Sequence, residues 1–321
     1  MKIVLYKNKN VLVTGGTGLI GSHVVEQLLK LGANVRITEH TRSNFFNDVE
    51  SIKGDLTDYN FCVKSVKNMD YVIHCAAQSG GLGRQLGNPL STFFPNLIMN
   101  TNLLEAAMQE NVERYEFTSN NSVYPTSDYT MTEDRGTEGI PFPIGYAGIK
   151  RMGELQAKFY HENSSIKTAI TRGGNAYGEH DKYDLETSHV VPALIRKAVE
   201  KQKPLIVWGD GSQIRDYTHA EDIANGILLA LEKYAIADPI NIATGVKTTT
   251  KDLINMICEI AGYEKPEIIF DTSKPTGQKT KLIEISKSKQ KLGFEAKISL
   301  EEGLTRSIRW YEENVHNKRH V

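Results

Sequence analysis

Tyr146 and Lys150, in the stretch YAGIK, stand four residues apart, so a helix through them sets both on one face. A free phenol has a pKa of about 10 and is a poor base at neutral pH; a cation held beside it favours the phenolate. This pair could therefore move a proton, although the spacing also occurs in helices that do no chemistry. A second stretch, TSNNSVYP at Thr118–Pro125, sets four small polar residues, Ser119 to Ser122, where an apolar strand ends. Such residues make tight turns by bonding their own backbone, and they equally furnish the donors of an active site. A third, TGGTGLIG, spaces Gly15, Gly18 and Gly21 at three-residue intervals. Between a strand and a helix, those glycines allow a tight turn, a close approach of backbone to phosphate and close helix packing. The helix N-terminus then faces the anion with free N–H groups. The expected cofactor contacts here are Gly15, Thr17, Gly18, Leu19, Ile20 and Gly21.

The surrounding elements must bring these stretches together. Asn10–Thr14 (NVLVT) reads as the strand entering the glycine loop, Leu19–Leu31 as the helix leaving it and Val35–Thr38 as a second strand. Glu39, 18 residues after Gly21, falls where an acid bonds the adenosine ribose and repels a 2′-phosphate, which favours NAD. His40 and Arg42 follow at once and could hold that phosphate instead, which leaves NADP as the alternative. In GDLTD (Gly54–Asp58), Asp55 and Leu56 offer contacts to adenine, or form an ordinary turn. Asp70–Ala77 is a third strand, after a helix-like Asn60–Asn68, and its end brings Ala76 to the cofactor. Asn96–Glu110 reads as a long amphipathic helix and Arg114–Ser119 as the strand that leads into the polar stretch. Strands alternating with helices imply an α/β fold, a Rossmann-type doubly wound parallel sheet. From about Gly178 the pattern loosens into loops between short helices (Val190–Lys201, Thr249–Ala261, Leu300–Asn314), which predicts a smaller, interwoven C-terminal substrate lobe. The expected division gives residues 1–176 to the dinucleotide domain, with 218–246 returning to it, and 177–217 and 247–321 to the lobe.

Composition narrows the partners. Lys+Arg 38 against Asp+Glu 39 leaves a net charge of −1 over 321 residues. No broad basic face is expected for nucleic acid or an anionic membrane, so an anionic ligand needs a few placed cations. Cys62, Cys75 and Cys258 have neither metal-like spacing nor the even count of a disulfide framework, and no metal is expected. Cys75 reads as a small buried hydrophobe. No apolar run reaches ~18 residues and the first residues contain no signal-like apolar core, so a soluble, cytoplasmic protein is expected.

With the glycine loop, the Tyr-x-x-x-Lys pair resembles that of the extended short-chain dehydrogenase/reductases, the NAD-dependent epimerase/dehydratase family. The resemblance runs nearly end to end. It is closest to the GDP-sugar branch, that of GDP-L-fucose synthase and GDP-mannose 3,5-epimerase, in AAQSGGLG (Ala76–Gly83), YGEHDKYDLETSHVVPALIRK (Tyr177–Lys197), WGDGSQIRDYTHAEDIA (Trp208–Ala224) and DTSKPTGQKTKL (Asp271–Leu282). The resemblance implies that Lys197, Arg215 and Lys281 grip a nucleotide diphosphate, that Asn175 and His189 meet the substrate, and that His189 is an acid/base. It also implies a homodimer through the helices containing Asn96–Glu110 and Tyr146–His161.

The resemblance also gives the polar stretch a meaning. The family's third catalytic residue, Ser or Thr, lies four positions before the tyrosine of a VY or IY pair, which here is Asn120. The GDP-sugar branch has cysteine two positions before that tyrosine, and here Ser122 stands there. Asn120 can donate an amide N–H but cannot relay a proton, and an unassisted serine is far less acidic than a thiol. Asn121 and Ser122 also lack the acids of the 4,6-dehydratases. The expected function is NAD(P)-dependent hydride transfer at C4 of a GDP-linked hexose or heptose, as 4-keto reduction or 4-oxidation. Tyr146, Lys150, Asn120, Ser122 and His189 would form its catalytic set. The alternatives are a C3/C5 epimerase, a fucose-synthase-like epimerase-reductase and a dinucleotide sensor without catalysis.

Overall fold

The computed structural model describes residues 3–127 and 129–316. Its centre is a seven-stranded parallel sheet of β1 (Asn10–Thr14), β2 (Asn34–Glu39), β3 (Glu50–Lys53), β4 (Tyr71–His74), β5 (Arg114–Asn120), β6 (Lys167–Gly173) and β11 (Ile240–Ile242). Their order is β3-β2-β1-β4-β5-β6-β11. The chain reverses its direction of travel between β1 and β4, and ligands bind outside the strand ends at such a switch point. Residues of β1 alternate as a strand buried on both faces must. Val11 and Val13 join a core with α1 (Leu19–Lys30) and α7 (Ala220–Lys233), whereas Leu12 joins one with α2 (Tyr59–Val66), α4 (Leu90–Gln109) and α5 (Ile144–Asn163). Helices therefore cover both faces, as the alternation of elements predicts.

Two elements depart from the periodicity. β3 is a short, mostly exposed edge strand with no apolar pattern to announce it. α4 begins at Leu90, six residues before the expected start, and holds Pro95 within its second turn. A proline there forfeits one helical N–H bond, which packing against α2 and α5 offsets.

The smaller strands sit beyond the sheet. β7 (Asn175–Tyr177) pairs with β10 (Tyr217–His219), and β8 (Leu205–Trp208) with β13 (Ile268–Asp271). β9 (Ile214–Arg215) lies between β12 (Thr248–Thr249) and β14 (Thr280–Lys281). They pack with α6 (Val190–Val199) and α8 (Thr250–Ile260) on a separate apolar core around Leu194, Ile195, Leu253 and Ile257.

A buried polar knot ties this part to α1. His23, on α1, lies 3.5 Å from Glu179 and 3.6 Å from Glu26, and Glu179 also meets His219 at 3.0 Å and Arg306 at 2.8 Å. Burial alone would depress His23, but the Glu179 and Glu26 carboxylates outweigh it and lift the imidazole to about 9. Because the folded value exceeds the unfolded 6.5, this stabilisation is complete below pH 6.5 and lost as pH rises through about 9. Wild-type unfolding free energy should therefore fall by roughly 1–3 kcal/mol more than that of His23→Gln across this window, as read from urea unfolding at stepped pH. Parallel curves would refute the charged histidine.

Candidate active site

The glycine loop is built for close approach. Gly15 adopts φ +67, and a Cβ there would meet the Ala76 backbone nitrogen at 2.8 Å. The Gly18 N–H bonds the Gly15 carbonyl at 2.9 Å, and a Cβ on Gly21 would drive into that same carbonyl. α1 then starts with no side-chain cap and no acid in its first turn. Its leading N–H groups are thus left for an anion, and the loop fits the pyrophosphate of a dinucleotide.

From this loop a cleft of about 1150 Å³ runs across the carboxyl ends of β1, β4 and β5 to the smaller strands. Gly15, Thr17, Gly18, Leu19, Ile20, Gly21, Asp55, Leu56 and Ala76 all line it. Glu39 does not: it is half-buried, and its neighbours Thr38 and His40 line the cleft instead. The Thr57 backbone N–H holds the Asp55 carboxyl below its usual range, so an anion stands at this end of the cleft. Arg42 spends its guanidinium on carbonyls, at 2.6 Å from His180 and more loosely at 3.4 Å from Asp181 and 3.5 Å from Thr17. A guanidinium held in this way is poorly placed to serve a 2′-phosphate.

The polar stretch at the end of β5 proves to be divided labour. The Thr118 carbonyl accepts from Lys150 Nζ at 2.6 Å. Ser119 donates to Glu154 at 2.5 Å, and Glu154 is held by both Nε and Nη2 of the buried Arg172, at 2.9 and 2.7 Å. Ser119 therefore belongs to a buried ion pair. Asn120 Oδ1 accepts from the Ser122 backbone N–H at 2.9 Å and from the Ser122 hydroxyl. With its carbonyl so engaged, its amide N–H is the group turned to the Tyr146 hydroxyl.

Tyr146 and Lys150 do lie on α5 and line the cleft together. Their charges are arranged differently from the simple expectation. Lys150 Nζ is 5.9 Å from the Tyr146 ring centroid, bonded to the Thr118 carbonyl. Burial pushes the Tyr146 phenol up to about 12, and the Asn120 hydrogen bond, rather than the lysine, is what opposes it. Tyr146 is therefore an acid that keeps its proton at neutral pH.

At the far end Asn175, His189, Lys197, Arg215 and Lys281 line the same cleft. β9 and β14 pair with Arg215 opposite Lys281. Lys197 donates to the Ile206 carbonyl at 2.7 Å and Arg215 to those of Ile214, Thr276, Gln278 and Lys279. Among the described residues no carboxylate pairs with any of the three. Burial, then the facing Arg215, push Lys281 down to about 7. Three desolvated cations without an anion form a site that favours a polyanion. Half-exposed His189 stands 4.0 Å from Asp181. Arg84 and Lys182 line the cleft as well, although no motif singles them out.

The NAD dependent epimerase/dehydratase family model matches residues 11–243. A GDP-L-fucose synthase of Sinorhizobium fredii is 30% identical, over 98% of this chain and 99% of that protein. An epimerase of Methanothermobacter thermautotrophicus superposes with a TM-score of 0.90 at 28% identity, covering 99% of this chain and 96% of that one. The UDP-glucose 4-epimerase of Thermotoga maritima, solved with UDP-glucose, gives 0.85 at 28% identity, covering 95% and 99%. No helix among the described residues is long and apolar enough to cross a membrane. Matched over most of its length and carrying the glycine loop, the tyrosine–lysine pair and the cleft between them, the chain belongs to the NAD dependent epimerase/dehydratase family.

Proposed function

We propose that the protein is an NAD-dependent nucleotide-sugar oxidoreductase that transfers a hydride at C4 of a GDP-linked hexose or heptose, in the direction of 4-keto reduction. The observation that carries this reading is the placing of Tyr146 and Lys150 on one helix face in the cleft wall, beside Asn120. A phenol so held donates a proton to the C4 oxygen as the ketone is reduced. The glycine loop and Asp55 would hold the nicotinamide cofactor, whose reduced form, NADH, would supply the hydride and leave as NAD. Lys150 binds its nicotinamide ribose and Asn120 orients the sugar oxygen. Lys197, Arg215 and Lys281 take the diphosphate, and Asn175 and His189 face the sugar. In this reading residues 1–176 with 218–246 hold the cofactor, and 177–217 with 247–321 hold the nucleotide sugar. GDP is the base we favour, on the GDP-L-fucose synthase likeness; the UDP-glucose enzyme named above makes UDP-sugars the comparison to test.

His189 in the cleft favours one second reading, the fucose-synthase-like epimerase-reductase with C3/C5 epimerisation. Against it stands Ser122, whose hydroxyl is spent on Asn120. The test follows reduced-cofactor oxidation, with NADH and NADPH compared, in deuterated water with GDP-4-keto-6-deoxymannose. Oxidation without label at C3 and C5 is expected. Label at those carbons selects the second reading. NAD binding without turnover on GDP-, UDP- and dTDP-4-keto sugars would sink both and leave a sensor.

Two further outcomes are expected. Arg215→Ala should raise the sugar-nucleotide KM about 10–100-fold with little change in kcat, since a charge-assisted hydrogen bond contributes ~1.5–3 kcal/mol. An equal fall in kcat at constant KM would place Arg215 in the chemistry instead. The second outcome concerns assembly. Ile144, Met152, Leu155 and Phe159 make an exposed apolar stripe on α5, beside Leu90 and Phe94 of α4. Met152, Leu155 and Phe159, three and four residues apart, mark one helix face, and a second copy of this chain is its proposed partner. Light scattering should give twice the chain mass, and Phe159→Glu should halve it; a monomeric wild type would end that proposal.

A further inference from the structure

Beneath the tyrosine–lysine pair lies a buried acid that the reaction described above leaves unused. Glu116 is fully buried in the middle of β5. Its Oε1 accepts from the Thr171 hydroxyl on β6 at 2.6 Å, and its Oε2 from the Thr118 hydroxyl at 2.7 Å. Thr118 is also the residue whose carbonyl receives Lys150 Nζ at 2.6 Å. One residue thus touches both the acid and the lysine, at the point where the cleft wall meets the core.

Each member has an unmet need. Lys150 is 6% exposed, and among the described residues its hydrogen-bond partner is a neutral carbonyl. A lysine desolvated in this way sheds its proton unless an anion stands near. The other titratable groups facing the pair do not serve. His74 is kept neutral by burial, at about 4; the Cys75 thiol is pushed up to about 12 by burial; and burial raises the phenols of Tyr6 and Tyr115. Glu154 is committed to Arg172. Glu116 remains, an acid that forms no ion pair among the described residues and on which Lys150 is the cation that acts.

We propose that Glu116 is a positioning residue, the counter-charge that keeps Lys150 protonated inside the cleft, so that the pair and not the lysine alone sets the pH at which Lys150 gives up its charge. The inference rests on the reading of Tyr146 and Lys150 as the hydride-transfer site. The directions of shift agree with it. Burial drives Lys150 down to about 8, with Glu116 the largest opposing charge. Burial drives Glu116 up to about 7, opposed by the Thr171 and Thr118 hydroxyls and then by Lys150.

The experiment is a titration of Lys150 in the cofactor-free, full-length protein, by NMR of 13Cε-labelled lysine with Lys150→Arg identifying the resonance. Glu116→Gln keeps the side chain's size and removes its charge. Its Lys150 midpoint should fall by up to about one pH unit, the scale of one charge acting across a buried residue. Thr171→Val, which strips a donor from the carboxylate, should shift it the same way by less, whereas Glu116→Asp should stay nearer wild type. NAD affinity, followed by fluorescence over the same pH range, should lose its alkaline limb at the same shifted midpoints. If Glu116→Gln fails to fold, Thr171→Val decides. An unchanged midpoint in a folded variant overturns the proposal, and a lower melting temperature with unmoved midpoints would reveal a merely structural acid. No sugar enters the titration, so its failure and the failure of the hydride-transfer reading are separate results.

Discussion

Replacing Tyr146 by phenylalanine is expected to lower turnover about 10²–10⁴-fold, the usual contribution of a positioned general acid. The ring remains and only the hydroxyl goes, so NAD affinity should be nearly unchanged. The Asn120 amide loses its partner but stays tied to Ser122 through its carbonyl, which holds the local backbone in place. Asn120→Ala should act through the same atom. Without that donor the phenol, already at about 12, is harder still to ionise, so the oxidative direction should suffer more than the reductive one. Single-turnover rates in both directions separate these effects. A phenylalanine variant at the wild-type rate would mean that another group moves the proton. Loss of NAD binding would mean that the hydroxyl is structural.

The second large effect is on stability. Arg172 is 2% exposed and grips Glu154 with two nitrogens. Arg172→Met leaves that carboxylate buried without its cation, at a cost of about 3–5 kcal/mol. The double substitution Arg172→Met with Glu154→Leu should recover most of the loss, because an apolar pair of similar volume is often neutral or better. Urea unfolding of both variants checks this, and a double variant as unstable as the single one would refute it. The pair's neighbours suggest what it secures. Ser119 donates to Glu154, and Tyr124 lies 3.1 Å from Arg172 and 2.6 Å from Asn241. The pair therefore clamps both ends of the turn that presents Asn120 and Ser122.

This clamp marks the boundary of what the sequence makes legible. Periodicity and the glycine spacing suffice for the doubly wound sheet, for the loop at its switch point and for the sharing of one helix by Tyr146 and Lys150. Each is a local property of a short window. The allocation of TSNNSVYP is not local. Ser119 depends on Glu154, 35 residues on, and Lys150 reaches back 32 residues to the Thr118 carbonyl. Nothing near Lys150 in the chain announces that its charge meets a carbonyl before a phenol. Arg42 likewise reads as a free cation until it meets the carbonyls of His180 and Asp181, some 138 and 139 residues away. β3 has no apolar alternation because it is a mostly exposed edge strand. The three cleft cations Lys197, Arg215 and Lys281 come from the resemblance to a family, and no periodicity marks them. That no carboxylate among the described residues pairs with them is visible only with the fold.

The same Arg42 has a kinetic meaning. It joins the glycine loop to the 180–181 segment across the cofactor end of the cleft, like a bolt drawn between two leaves of a door. Were a dinucleotide to lie beneath it, release would require those bonds to part, and the bolt would act on residence time more than on equilibrium occupancy. A sugar that must be oxidised and reduced on one retained cofactor profits from a long residence. One that is reduced once per visit is slowed by it, and for such a substrate the pace of the whole cycle would be set by how often the bolt slides.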